Sequence, residues 1–214
     1  MRISVASFSL LATLASTHVI ASTSDVTLTG TLTPSACTPA LSNGGVIDYG
    51  PLFVDDLDTG PTVHYQLPVK QLDLTIKCEA ATPFALVNFD NRIDNATGSV
   101  IRFGLGTHKD EVIGYMFIQA TTALVDGVVR HTITSRDRGE NWVRVGGTTQ
   151  EFERAQLRPD FLLGFGDLSD VASGPTPAKD LSTTLTVTGR ADSRIDYSSD
   201  VQIDGSTTFE VRYL

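Results

Sequence analysis

Hydrophobic and polar residues alternate with a period of two along much of this chain, in short runs broken by turn residues about every ten positions. The first such run is Asp25–Thr33, where Val26, Leu28, Gly30 and Leu32 fall on one face of an extended strand and four threonines on the other. It halts at Pro34 and has no turn leading to a hairpin partner. After the Cys37 region a turn, Ser42-Asn43-Gly44-Gly45, leads into a predicted strand over Val46–Gly50. Alternation returns at Leu72, Leu74, Ile76 and Cys78, with Asp73, Thr75 and Lys77 facing the other way. Phe84–Phe89 is another apolar run, and Val100–Leu105, Val112–Gln119 and Ala123–Thr134 are further strand candidates punctuated by Gly or Asp-Gly. Glu151–Lys179 reads as irregular, with one helical turn over Phe152–Leu157. Leu181–Arg190 is regular again, and in the last strand Phe209, Val211 and Tyr213 share a face. No long segment repeats apolar residues at helical spacing, so the expected fold is an all-β sandwich or barrel.

Composition narrows the functional classes. With 25 acidic against 16 basic residues the 214-residue chain carries a net charge of −9, a field that repels phosphate backbones and anionic lipid and argues against nucleic acid as a partner. The start of the chain changes the picture more. Arg2, an apolar run from Val5 to Ala15 and Val19-Ile20-Ala21 read as a signal peptide over residues 1–21. Ser, Thr and His residues interrupt that run too often for a membrane anchor. Export in turn predicts that the two cysteines, Cys37 and Cys78, form a structural disulfide.

Candidate chemistry is sparse. His64, His108 and His131 stand at no ligand or catalytic spacing, and the chain has no nucleophile elbow, phosphate-binding glycine loop or H-E-x-x-H. No catalytic residue, metal ligand or cofactor is expected, and the chain is not read as an enzyme. The acids of Asp55–Gly60 lack the glutamate an EF-hand loop requires, since position 67 is leucine. Asn95-Ala96-Thr97 has the form of a glycosylation acceptor and is assigned no role. One motif has mechanical content. Ser135, Asp137, Gly139 and Trp142 fit the S-x-D-x-G-x-x-W form of an "Asp box", read as a hairpin in which Asp caps turn amides, Gly supplies positive φ and Trp packs over the turn. Arg130, Arg136, Arg138 and Arg144 cluster around it and could bind an acidic sugar.

The set Val26-Thr27-Leu28-Thr29-Gly30-Thr31-Leu32, Cys37 seven residues after Gly30, the partner Cys78 and a terminal alternating strand with Tyr213 penultimate resembles subunits of bacterial chaperone-usher fimbriae, as a longer variant branch. The resemblance implies an incomplete immunoglobulin-like β-sandwich lacking its final strand. On that pattern, residues 22–33 are a donor-strand extension, and 34–214 are the pilin-like domain with a central insertion over about 88–179. It implies that Val26, Leu28, Gly30 and Leu32 fill the groove of another subunit. Phe209, Val211 and Tyr213 then form the acceptor strand, with the Leu214 carboxylate open to a periplasmic chaperone. The expected partners are that chaperone, an outer-membrane usher and other pilus subunits, and the expected location is the periplasm and then the fimbrium at the cell surface. A second reading is a minor or tip subunit holding a host glycan through the central insertion.

Overall fold

Period-two alternation becomes strand wherever a neighbouring edge can receive it, and the computed structural model, which describes residues 26–30, 36–59, 63–92, 102–120, 122–145, 155–156 and 161–214, is all-β in its regular structure apart from short 3-10 turns. The chain divides into two compact units, Met1–Thr33 and Pro34–Leu214. The proposed signal segment, Leu32 and Asn95-Ala96-Thr97 lie outside the described residues.

In the second unit the strands are β1 (Cys37–Leu41), β2 (His64–Gln66), β3 (Lys70–Thr82), β4 (Phe84–Asp90), β5 (Phe103–Gly104), β6 (Thr107–His108), β7 (Glu111–Val112), β8 (Gly114–Ala120), β9 (Ala123–Val125), β10 (Val128–Ser135), β11 (Val143–Arg144), β12 (Ala155–Gln156), β13 (Leu162–Gly166), β14 (Ala178–Asp192) and β15 (Thr207–Tyr213). Two antiparallel sheets face each other. The first is built on β14, flanked by β3 on one side and by β8 and β9 on the other, with β1 beyond β3. The second runs β11-β10-β13-β4-β15. Strand β10 belongs to both, because Val128–Arg130 pair with β9 and His131–Ser135 with β13.

Leu72, Leu74, Ile76 and Cys78 of β3 are buried and their neighbours Asp73, Thr75 and Lys77 exposed, as the alternation requires. They meet Leu185 and Val187 of β14 and, from the opposite sheet, Phe84, Leu86, Leu163 and Phe165 in the main core. Strand β4 reads as a continuous apolar run because it is buried on both faces. Phe84 and Leu86 point into the main core, while Ala85 and Val87 pack with Ile133, Trp142 and Leu162 on the outer side. A third cluster around Leu67, Leu105, Ile113, Ala191 and Ile195 is covered by the irregular segments that carry Tyr49, Leu52, Tyr197 and Ile203.

Several expectations need correction. Val46–Gly50 is not a strand: Gly45 and Gly50 have positive φ, and the segment lays Ile47 on the main core and Tyr49 on the third cluster without pairing. Conversely, Cys37–Leu41, which contains Pro39, is a strand. The Glu151–Lys179 region holds β12 at Ala155–Gln156, inside the proposed helical turn, as well as β13 and the start of β14. The described residues of the 88–179 region supply β9, β10 and β13, which lie between β14 and β4, and β8, which pairs with β14, so these strands belong to the two sheets themselves. The Val112–Gln119 run is divided at Ile113, where Gly114 (φ +153) brings its backbone against Arg190 so closely that a Cβ would stand 2.0 Å from the Arg190 carbonyl oxygen.

Candidate functional site

The two sheets end at β1 and at β15, and both ends have an open side. Among the described residues, β1 pairs only with β3 and β15 only with β4. Cys37 lies directly opposite Cys78 with Cα atoms 4.0 Å apart, and the two form the disulfide. The Cys37 amide turns away from β3 and donates to the Tyr213 hydroxyl at 2.8 Å, joining β1 to β15 at this end. Pro39, two residues on, directs its nitrogen the same way, so the open edge of β1 lacks a donor where a proline is best tolerated.

The edge of β15 is different. The Asn91 amide donates to Ser206 and the Leu214 amide to Pro83, and Arg212, Glu210 and Thr208 share that direction toward β4. By the same alternation, the amides and carbonyls of Thr207, Phe209, Val211 and Tyr213 face away from β4. Phe209 and Val211 pack against the main core while Tyr213 is 50% and Leu214 47% exposed. Three of the four positions read from sequence, Phe209, Val211 and Tyr213, thus share β15 and Leu214 follows it; two side chains anchor the strand, and its outward backbone row is unpaired among the described residues.

Beside this edge the interior is open. A cleft of about 950 Å³ runs from Leu41, at the far end of β1, to Thr207 and Phe209. Its floor is core: Leu72, Ile118, Leu185 and Val187 line it although they are buried side chains of β3, β8 and β14. One wall is the unpaired segment carrying Ile47, Tyr49, Leu52 and Phe53, and the other is 198–206. Burial raises the Tyr49 phenol above its ordinary range and pushes Tyr197, whose hydroxyl donates to the Asp192 carbonyl at 2.8 Å, up to about 12. The walls were invisible in sequence because they are irregular; the surplus of apolar residues in a segment with no alternating neighbour was the available signal.

At the other predicted positions, Val26 and Leu28 are 95% and 97% exposed and belong to no strand, and a Cβ on Gly30 would meet nothing within 4 Å. Ser135, Asp137, Gly139 and Trp142 form the turn between β10 and β11. The Ser135 hydroxyl donates to the Asp137 carboxylate at 2.7 Å and accepts from the Gly139 amide at 2.9 Å. Asp137 also accepts from the Asn141 amide and side chain at 2.9 and 2.6 Å. Those bonds hold its carboxyl down at about 2. Gly139 has φ +97, and the Trp142 indole donates to its carbonyl at 3.1 Å. The surrounding arginines do not converge on one point: Arg130 bonds Thr176, Arg144 bonds the Leu168 carbonyl, and Arg136 lies over the Phe161 ring at 5.2 Å. His64 packs edge-on to Tyr115 at 5.1 Å, with its pKa lowered by burial.

Residues 26–123 match the family described as "Protein of unknown function (DUF1120)", a span that runs from Val26 through both cysteines to the first residue of β9. The chain is similar to "Uncharacterized protein YhcF" of Escherichia coli (strain K12), 39% identical over 95 residues that cover 44% of this chain and 39% of that protein. It is similar also to "Protein GltF" of the same organism, 38% identical over 92 residues, 42% of this chain and 34% of that protein. In both cases the chain spans less than half the length of the relative it matches. No solved structure matches the chain.

Proposed function

We propose that this chain is a structural subunit of a fimbria, exported to the periplasm and assembled by donor-strand complementation through a periplasmic chaperone and an outer-membrane usher. The single observation that carries the reading is the open edge of β15, which at Thr207 and Phe209 borders a cleft floored by the sandwich's own core. Buried core residues at the bottom of an open slot support the reading of a sandwich short of one strand. A strand added there makes ladder hydrogen bonds with Thr207–Tyr213 while its alternate side chains fill the slot, which gives affinity and specificity together.

In this reading the chain's own alternating Val26–Leu32 segment, whose described apolar side chains are almost fully exposed, is the donor to a neighbouring subunit. The disulfide between Cys37 and Cys78 is compatible with an oxidising compartment. No enzymatic role is proposed. A chain lacking residues 22–33, co-expressed with cognate chaperone and usher, is expected to be held by the chaperone yet to form no homopolymer; fibres from the deleted chain alone would overturn the reading.

A further inference from the structure

The cleft is apolar at its floor and carries charge of one sign at its rim. Asp48 and Asp55 stand on one wall, Asp200 and Asp204 on the other, and among the described residues no lysine or arginine lines it. Asp204 is already bonded to Arg92, at 2.8 Å. Asp48, Asp55 and Asp200 are exposed and in no ion pair among the described residues. Lys70, the base near this wall, lies over the Tyr49 ring at 5.4 Å rather than against a carboxylate.

The chain's own alternating segment does not complement that rim. From residue 3 to residue 69 there is no lysine or arginine, and the segment carries Asp25. A second copy, with its net charge of −9, brings further repulsion. Resting on the acceptor reading above, we propose that the preferred occupant of the cleft is an extended segment of a different polypeptide. Its apolar residues alternate, and lysine or arginine flanks them at the end that lies over Asp48, Asp55 and Asp200. Alternate side chains read the apolar floor and the basic flank reads the rim. Complementary charge of this kind selects between partners more than it adds raw affinity.

The test is calorimetric titration of the full chain with peptides that share the core Val-Thr-Leu-Thr-Gly-Thr-Leu-Thr and differ only in a Lys-Lys, Asp-Asp or Ser-Ser pair appended at either end. At low ionic strength the better-placed Lys-Lys peptide is expected to bind about tenfold or more tighter than its Asp-Asp counterpart. That ratio should fall toward one at about 0.5 M salt, where exposed charges are screened. It should also fall toward one in the variant D48N/D55N/D200N, in which the new side-chain amide at position 48 keeps an oxygen for the Gly50 N–H that Asp48 now caps at 2.7 Å. Equal binding of all peptides, or tighter binding of the Asp-Asp form, overturns the charge inference and leaves the acceptor reading standing. Binding of none overturns both.

Discussion

The role proposed for Gly30 is one that its own fold does not require. A Cβ added there would meet nothing within 4 Å, so G30V is expected to leave thermal unfolding of the isolated chain within about 0.5 kcal/mol of the parent. In the donor role its backbone passes closely over another subunit, and the same variant is expected to stop fibre formation, scored by electron microscopy. Asp137 is the opposite case, a residue whose partners all lie in its own hairpin. Its carboxyl titrates at about 2 in the fold and near 3.9 in an unfolded chain. Because the folded value is the lower one, the carboxylate's contribution is fully present above about pH 4 and is lost as pH falls toward 2. D137A should therefore be less stable than the parent at neutral pH, with the difference shrinking through that window in acid titrations followed by circular dichroism. Trp142 fills the space against Gly164 and Gly174, where a Cβ would come within 3.1 and 2.9 Å of its ring. W142A should cost about 3 kcal/mol in denaturant midpoint analysis.

At the scale of elements, the disulfide and the last strand act together. Cys37 and Cys78 are separated by 41 residues in sequence, and their bond should stabilise by about 2–4 kcal/mol. Loss of the pair in C37S/C78S should exceed that figure's lower bound in chemical unfolding. It should also loosen β15, because the Cys37 amide holds the Tyr213 hydroxyl. Increased hydrogen exchange at the amides of Arg212 and Glu210 in that variant is the readout; unchanged protection there would separate the disulfide from the acceptor edge. Strand β1 and strand β15 are both edges, yet Pro39 removes a donor from the first and nothing comparable blunts the second. On the proposed function, strand addition is therefore expected at β15 rather than at β1.

For the whole molecule, an open β15 edge beside a core-floored cleft makes the isolated chain a template for unintended pairing. The purified chain alone is expected to aggregate on concentration. A saturating alternating peptide should suppress aggregation and raise the unfolding temperature, as any ligand selective for the folded state must. Light scattering with and without peptide measures both the liability and its cure.

What the sequence by itself determined was the class of fold and the strands with a clean period. β3 and β15 were legible as alternating segments, β4 as an apolar run, and the Ser135–Trp142 turn as a hairpin, because each depends on neighbours within a few residues. Export predicted the cysteine pair. Only the tertiary structure decided the rest. Val46–Gly50 alternates like a strand but lies unpaired along the cleft, whereas Leu162–Gly166, in a region read as irregular, sits between β10 and β4. The region 88–179 read as an insertion, yet its strands β9, β10 and β13 connect β14 to β4. A strand exists only where another edge supplies hydrogen bonds, and that edge is set by residues far away in the chain. The cleft has the same origin: its floor comes from β3, β8 and β14 and its walls from irregular segments about 150 residues apart, so no local pattern records it.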